Sequence, residues 1–221
     1  MGTKRTYGDG CSIARGLDLV GERWALLIVR ELLLGPKRFT DLRKGLRTAS
    51  PNVLSQRLDE LEEAGVVQRR TLPPPAAARV YELTDWGHEL EAVVMSLGNW
   101  AARSATPPSD APILSADSIV LALRARFDRA AAEGVEASYE LRLGDDRFAI
   151  EVQDGELQVA RGDLDRADAT IETDPDTLNA VVWGEQTLAQ AQRSGDLTVA
   201  GEEAAVESFV ELFPQPERSL A

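Results

Sequence analysis

The chain has 221 residues, 43% of them hydrophobic and 28% charged, with a net charge of −13 and a single cysteine. That balance is ordinary for a soluble globular protein of one large or two small domains, and no apolar run approaches the ~20 residues of a membrane span. One cysteine excludes a disulfide framework within the chain, and the opening MGTKRTYGDGCS holds no apolar signal core. A cytoplasmic protein without a membrane partner is expected. The charge is unevenly divided: residues 1–105 carry 15 Lys+Arg and 13 Asp+Glu (net +2), residues 106–221 carry 9 and 24 (net −15). SATPPSDAP, at 104–112, has the composition of a linker. Together these mark two units, 1–105 and 113–221, joined through 106–112.

In the first unit, CSIARGLDLV and GERWALLIVRELLLG show helical apolar spacing, the second ending at Gly35-Pro36. RFTDLRKGL sets Phe39, Leu42 and Leu46 on one face. Only Arg47 to Ala49 separate it from the next helix, which predicts a sharp helix-turn-helix. That next helix starts with Ser50 as N-cap and Pro51 in the first helical position, and stops at Gly65. Leu54, Leu58 and Leu61 form its inward stripe, leaving Asn52, Val53, Ser55 and Gln56 facing out. Short or planar hydrogen-bonding groups of this kind reach base edges in a major groove. They equally suit the solvated face of an ordinary core helix.

The segments after Gly65 favour the groove. VVQRR and RVYEL read as a strand and its return, joined by the stiff, proline-rich TLPPPAAA: a wing. Arg57 on the helix and Arg69, Arg70 and Arg79 at the wing are placed for phosphates. Asp59 and Glu63 share the outer face of Asn52 and Gln56, so the helix should enter the groove by its N-terminal end, where its dipole also favours phosphate. LTDWGHELEAVVMSLGNWAARS then resumes helical spacing as one long final helix.

CSIARGLDLVGERWALLIVRELLLGPKRFTDLRKGL, SPNVLSQRLDELEEAGVVQRR and YELTDWGHEL closely resemble the HxlR-type bacterial winged helix-turn-helix regulators, relatives of the MarR-like proteins. The resemblance covers residues 8–103. It implies a homodimer paired through its first and last helices, with two recognition helices entering successive major grooves of a near-palindromic double-stranded DNA operator. It also places Cys11 where several members carry a cysteine that senses oxidants or electrophiles. Such a thiol must be exposed and readily ionised. A small, inert, buried residue is the alternative.

The second unit reads as a helix, SADSIVLALRARFDRAAAEG, followed by strands SYELRL, RFAIEVQ, ELQVAR and DATIETD. Helices PDTLNAVVWG and QTLAQAQRSG, a strand LTVAG and a closing helix EEAAVESFVELFP complete it. Period-2 strands with one apolar face, linked by GDD and DG turns, predict a five-stranded, mostly antiparallel sheet covered by helices. The expected fold class is thus a mainly α winged helix-turn-helix domain plus an α+β C-terminal domain. The C-terminal hairpin, the DATIETDPDTL step, a Trp-Gly pair and RSGDLTVAG resemble the sterol-carrier-protein-like domain. That resemblance implies an apolar pocket between sheet and helices, with Phe148, Leu178, Val182, Trp183, Leu188, Phe209 and Phe213 as candidate lining.

The only histidine, His88, has no assignable nucleophile or carboxylate partner, and neither a Gly-rich phosphate loop nor zinc-ligand spacing is present. No enzyme, no cofactor and no metal are expected; clustered carboxylates lack the spacing of a calcium loop. The sequence thus predicts a dimeric DNA-binding regulator with an apolar small-molecule effector site. The alternative is an apolar-ligand carrier whose winged half serves for dimerisation.

Overall fold

The computed structural model describes residues 6–104 and 114–215, so the expected linker at 106–112 lies outside the described residues. Two compact units divide between Val94 and Met95. This boundary falls inside a helix, upstream of the proline-rich segment.

The first unit begins with α1 (Ser12–Val20), α2 (Ala25–Leu32), α3 (Phe39–Gly45) and α4 (Pro51–Glu63). Leu54, Leu58 and Leu61 of α4 are completely buried, as are Ile28 and Val29 of α2 and Leu42 of α3. Ser50 Oγ accepts the Val53 N–H at 3.4 Å as the expected cap. At the other end Gly65 takes the left-handed conformation, φ 74°, and the Val66 N–H returns to the Leu61 carbonyl at 2.9 Å, closing the last turn. Strands β1 (Val67–Thr71) and β2 (Arg79–Leu83) pair antiparallel from Val67↔Leu83 to Thr71↔Arg79. The expected single final helix is two: α5 (Asp85–His88) and α6 (Glu91–Ala102). The break has a local cause. Thr84 Oγ1 accepts the Gly87 N–H at 3.0 Å and donates to the Gly65 carbonyl at 2.7 Å, and the Gly87 Cα lies so close to the Val66 carbonyl that a Cβ would collide with it. The short turn is thereby anchored to the end of α4, and the chain restarts its helix at Glu91.

Glu31, a residue that periodicity alone does not single out, organises this unit. It lies on α2 and is completely buried. Its carboxylate accepts from Lys37 Nζ at 2.6 Å and from Arg30 Nη2 at 2.7 Å. Lys37 also forms a bridge with Tyr81 of β2, its N–H donating to the Tyr81 carbonyl at 2.9 Å and its carbonyl accepting from the Tyr81 N–H at 2.8 Å. A Cβ on Gly45, at the end of α3, would strike the Glu31 carboxylate. One carboxylate therefore ties α2, the entry and exit of α3, and the wing.

The second unit holds α7 (Ala116–Arg126), β3 (Ala137–Leu143), β4 (Asp146–Gln153), β5 (Glu156–Arg161), β6 (Ala169–Thr173), α8 (Pro175–Val182), α9 (Leu188–Ser194), β7 (Leu197–Gly201) and α10 (Glu203–Glu211). Helix α7 stops short of the expected span because Asp128 Oδ1 accepts the Ala130 N–H at 2.8 Å, turning the chain. The sheet has five strands in the order β5-β4-β3-β6-β7. It is mixed, which corrects the expected mostly antiparallel arrangement: β3 and β6 run parallel. Parallel neighbours cannot be joined by a hairpin. The segment 162–168 leaves the edge strand β5 and crosses the sheet to set β6 on the far side of β3.

The crossing is held on the polar side of β3. Glu140 is 4% exposed and accepts from Arg142 Nε at 2.6 Å and from the Leu164 N–H at 3.3 Å. Asp168 Oδ2 accepts the Ser138 N–H and hydroxyl, each at 2.8 Å. The opposite faces of β3, β4 and β6 carry Tyr139, Leu141, Phe148, Ile150 and Ile171, all 0–1% exposed.

Replacing Glu31 by Ala should destabilise the first unit by about 3–5 kcal/mol, because it removes the buried carboxylate that Lys37 and Arg30 pair with. Urea unfolding followed by tryptophan fluorescence reads this through Trp24 and Trp86, and a loss below about 1 kcal/mol would show that the cluster is not structural. A second expectation concerns acid. Hydrogen bonds from the Ser138 backbone and hydroxyl hold the Asp168 carboxyl below the ordinary carboxylate range. The Arg142 guanidinium, against the opposing effect of burial, does the same for Glu140. A carboxyl lowered by folding stabilises above its unfolded pKa, and that stability is lost as the pH falls through the folded value. Ser138→Ala should therefore lower the urea midpoint at neutral pH, with the gap to the parent closing below the carboxylate range. A gap of constant size into strong acid would assign the effect to packing.

Candidate nucleic-acid interface

Helix α4 presents Asn52, Val53, Ser55 and Gln56 to solvent along its first two turns, with Ser50 exposed at its cap. Val53 is 36% exposed, so this face is polar with one apolar contact point. The side chains of Asn52 and Ser55 have no hydrogen-bond partner among the described residues. The Gln56 amide donates to Glu60 Oε1 at 2.9 Å, which leaves its carbonyl oxygen as an acceptor. The face is thus rich in groups that pair with base edges and poor in charge.

The arginines expected to meet phosphate fall into two classes. Arg57 is engaged by Glu60 and lies 3.5 Å from Glu22; its side chain is 11% exposed, with Nε buried and unpartnered among the described residues. Arg69 pairs with Asp59 and, at 3.2 Å, with Glu62, and its guanidinium lies over the Tyr81 ring at 5.3 Å from the centroid. Arg70 pairs with Glu82 at 2.9 Å. Arg79 is exposed and, among the described residues, has no ion pair. Carboxylates pair with Arg57, Arg69 and Arg70 in the structure, so of the four arginines expected at phosphate only Arg79 stands without an ion pair among the described residues. Signals for this were present. Glu60 stands three residues after Arg57, and in the hairpin register Glu82 faces Gln68, two residues from Arg70 on the same side of the strand. The Asp59–Arg69 pair also changes the reading of the acidic second half of α4, which is drawn onto β1 and partly neutralised.

A second feature is invisible in the sequence. The Lys37–Tyr81 bridge brings the start of α3 beside the base of the wing. Arg38, Phe39 and Thr40 on one side, and Ala76 to Arg79 on the other, line an open cleft of about 350 Å³. Arg38 sits immediately before a helical run and resembles any exposed cation; only the tertiary bridge reveals its neighbour.

Cys11 is exposed and free, at the N-cap of α1. Its N–H donates to Asp9 Oδ1 at 2.9 Å, and Arg15 is exposed one turn on. His88 is exposed in α5. Among the described residues no group of three or more His, Cys, Asp or Glu is arranged to hold a metal ion, and no helix is long and apolar enough to cross a membrane.

Of the expected pocket residues, Phe148, Phe209, Phe213, Leu178 and Val182 are 0–4% exposed, while Trp183 and Leu188 are not fully buried. Phe209 packs tilted against Tyr139 and edge-on against Phe213, with ring centroids 4.9 Å apart in each case. These side chains pack as core. Tyr139 Oη is buried among them with no hydrogen-bond partner among the described residues.

Residues 19–108 match the family model described as HxlR-like helix-turn-helix. The uncharacterized HTH-type transcriptional regulator YvaP of Bacillus subtilis (strain 168) is 38% identical over 93 residues, which cover 42% of this chain and 86% of that protein. This chain belongs to the HxlR-like helix-turn-helix family. The HTH-type transcriptional regulator YodB of the same strain is 37% identical over 90 residues, 41% of this chain and 80% of its own. The reduced form of YodB superimposes with a TM-score of 0.40 at 33% identity, covering 46% of this chain and all of that one. Family membership makes the chain a helix-turn-helix transcriptional regulator. Beyond the HxlR-like part, residues 106–219 match the alkyl sulfatase C-terminal family, to which the second unit belongs. That is the family found where the sequence suggested a sterol-carrier-protein-like domain; the cues used there describe an α+β layer and not its ligand.

Proposed function

We propose that this protein is a cytoplasmic, homodimeric regulator that reads a near-palindromic operator with the first two turns of α4. The observation that carries the reading is the exposed, uncharged hydrogen-bonding row of Asn52, Ser55 and Gln56, at the end of the helix from which its acidic residues are absent. The dimer is supported by apolar side chains left in solvent. In α1, Ile13 is 73% and Leu17 44% exposed; in α6, Val93 is 49%, Leu97 47% and Trp100 73% exposed, and α6 buries no residue. Leaving a tryptophan and a leucine a helical turn apart in water forgoes a few kcal/mol of burial, which a second subunit would recover.

Effector control has two candidate inputs. The exposed Cys11 thiol supports an oxidant or electrophile response through a Cys11–Cys11 intersubunit bond or a small-thiol adduct, since the chain has no second cysteine. In the second unit an apolar or amphipathic small molecule is supported by the buried Tyr139 hydroxyl, unpartnered among the described residues, with its ring against Phe209. A buried polar group left unsatisfied costs about 1–3 kcal/mol, which a ligand's polar atom would relieve. Catalysis forms no part of this reading.

The combined substitution Asn52→Ala, Ser55→Ala and Gln56→Ala should reduce affinity for the protein's own upstream DNA to that for a scrambled duplex, at about 1–3 kcal/mol per lost base contact. A fluorescence titration against both duplexes decides it, and undiminished discrimination would remove α4 as the reading element. Trp100→Glu should yield a folded monomer in sedimentation equilibrium; a dimer of unchanged affinity would exclude α6 from the interface.

A further inference from the structure

The cleft between the start of α3 and the base of the wing is flanked by two guanidiniums, Arg38 and Arg79. Both are exposed, and among the described residues neither is paired with a carboxylate. The nearest acid on α3, Asp41, is turned back on its own chain, accepting the Arg38 N–H at 3.2 Å and the Thr40 hydroxyl at 3.4 Å. The cleft wall opposite is Ala76 to Ala78, with no side chain large enough to fill it. Its position is fixed by backbone, through the pair of hydrogen bonds between Lys37 and Tyr81, so the two cations are spaced by paired chain.

We infer that this cleft is the phosphate seat of the DNA interface, with Arg38 and Arg79 as its two cations. The inference rests on the DNA-binding reading above and deepens it. It assigns the electrostatic contact to residues outside the recognition helix and withdraws it from Arg57, Arg69 and Arg70. The physical reason is counterion exchange. A cation contributes to salt-dependent binding when it replaces counterions condensed on the duplex. An arginine already neutralised by a carboxylate must first give that partner up, whereas an unpaired guanidinium offers two parallel N–H donors to a phosphate at once.

The test is the slope of log affinity against log salt for the full-length protein on its upstream duplex. Arg38→Ala with Arg79→Ala should lower the magnitude of that slope by about 2, one for each phosphate contact, and weaken binding equally on upstream and scrambled DNA. Arg70→Ala should leave the slope unchanged. Arg38→Lys with Arg79→Lys keeps both charges and should keep most of the slope. The inference is overturned if the double Ala variant retains the parent slope, or if the Lys pair loses as much as the Ala pair, which would mean a structural role. Loss of slope in Arg70→Ala equal to that in the double variant would also overturn it. A parent protein that binds neither duplex at low salt overturns the DNA-binding reading itself, and with it this inference.

Discussion

The carboxylate of Glu31 has no access to water, and cations reach it from different places: Arg30 from its own helix, Lys37 from the strand-like turn after it. An ion removed from solvent is tolerated only where its partners are held in place, so the cluster acts as a gauge for the chain around it. Lys37 meets Glu31 through its side chain while its backbone meets Tyr81, and α3 can end at Gly45 only because that residue has no side chain to displace the carboxylate. The orientation of α3 against the wing follows, and with it the proximity of Arg38 to Arg79. Helix α4 is set by the apolar half of the same core, through Leu54, Leu58 and Leu61. One buried charge thus fixes where Arg38 lies against Arg79, and three leucines fix the face of α4 that carries Asn52, Ser55 and Gln56.

The charges of this unit are consequently sorted by what they touch. A net charge of +2 over residues 1–105 says little, because many of its cations and anions cancel locally. Arg70 pairs with Glu82 within the wing hairpin, while Arg57 braces α4 through its own Glu60 and Arg69 ties α4 to β1. In the proposed complex they orient the reading helix without contacting DNA, a positioning role in which the acidic residues of DELEEAG take part instead of opposing phosphate.

Helix starts and the helix-turn-helix were legible because they depend on residues adjacent in sequence: Ser50-Pro51, Gly35-Pro36, and the short link after Leu46. The exposed row on α4 was legible for the same reason. The partners of the arginines were partly legible, since i,i+3 spacing and hairpin register are local. The cleft was not, because Arg38 and Arg79 are brought together by a bridge between residues 37 and 81. The mixed sheet was not legible either: every strand of the second unit has the right alternation, and alternation says nothing about which neighbour a strand chooses. Glu140, read from its period as an outward residue, is buried because the crossover segment lies over it.

That crossover also divides the sheet into a local and a non-local part. Strands β3, β4 and β5 pair through tight turns, so their contacts are local in sequence. Strand β6 must find β3 across the intervening hairpins, and the bonds that seat it join residues 30 positions apart, Ser138 and Asp168. Strand β7 pairs only with β6, so its place in the sheet depends on the same joint. The far half of the sheet thus hangs on a single parallel joint, β3 against β6.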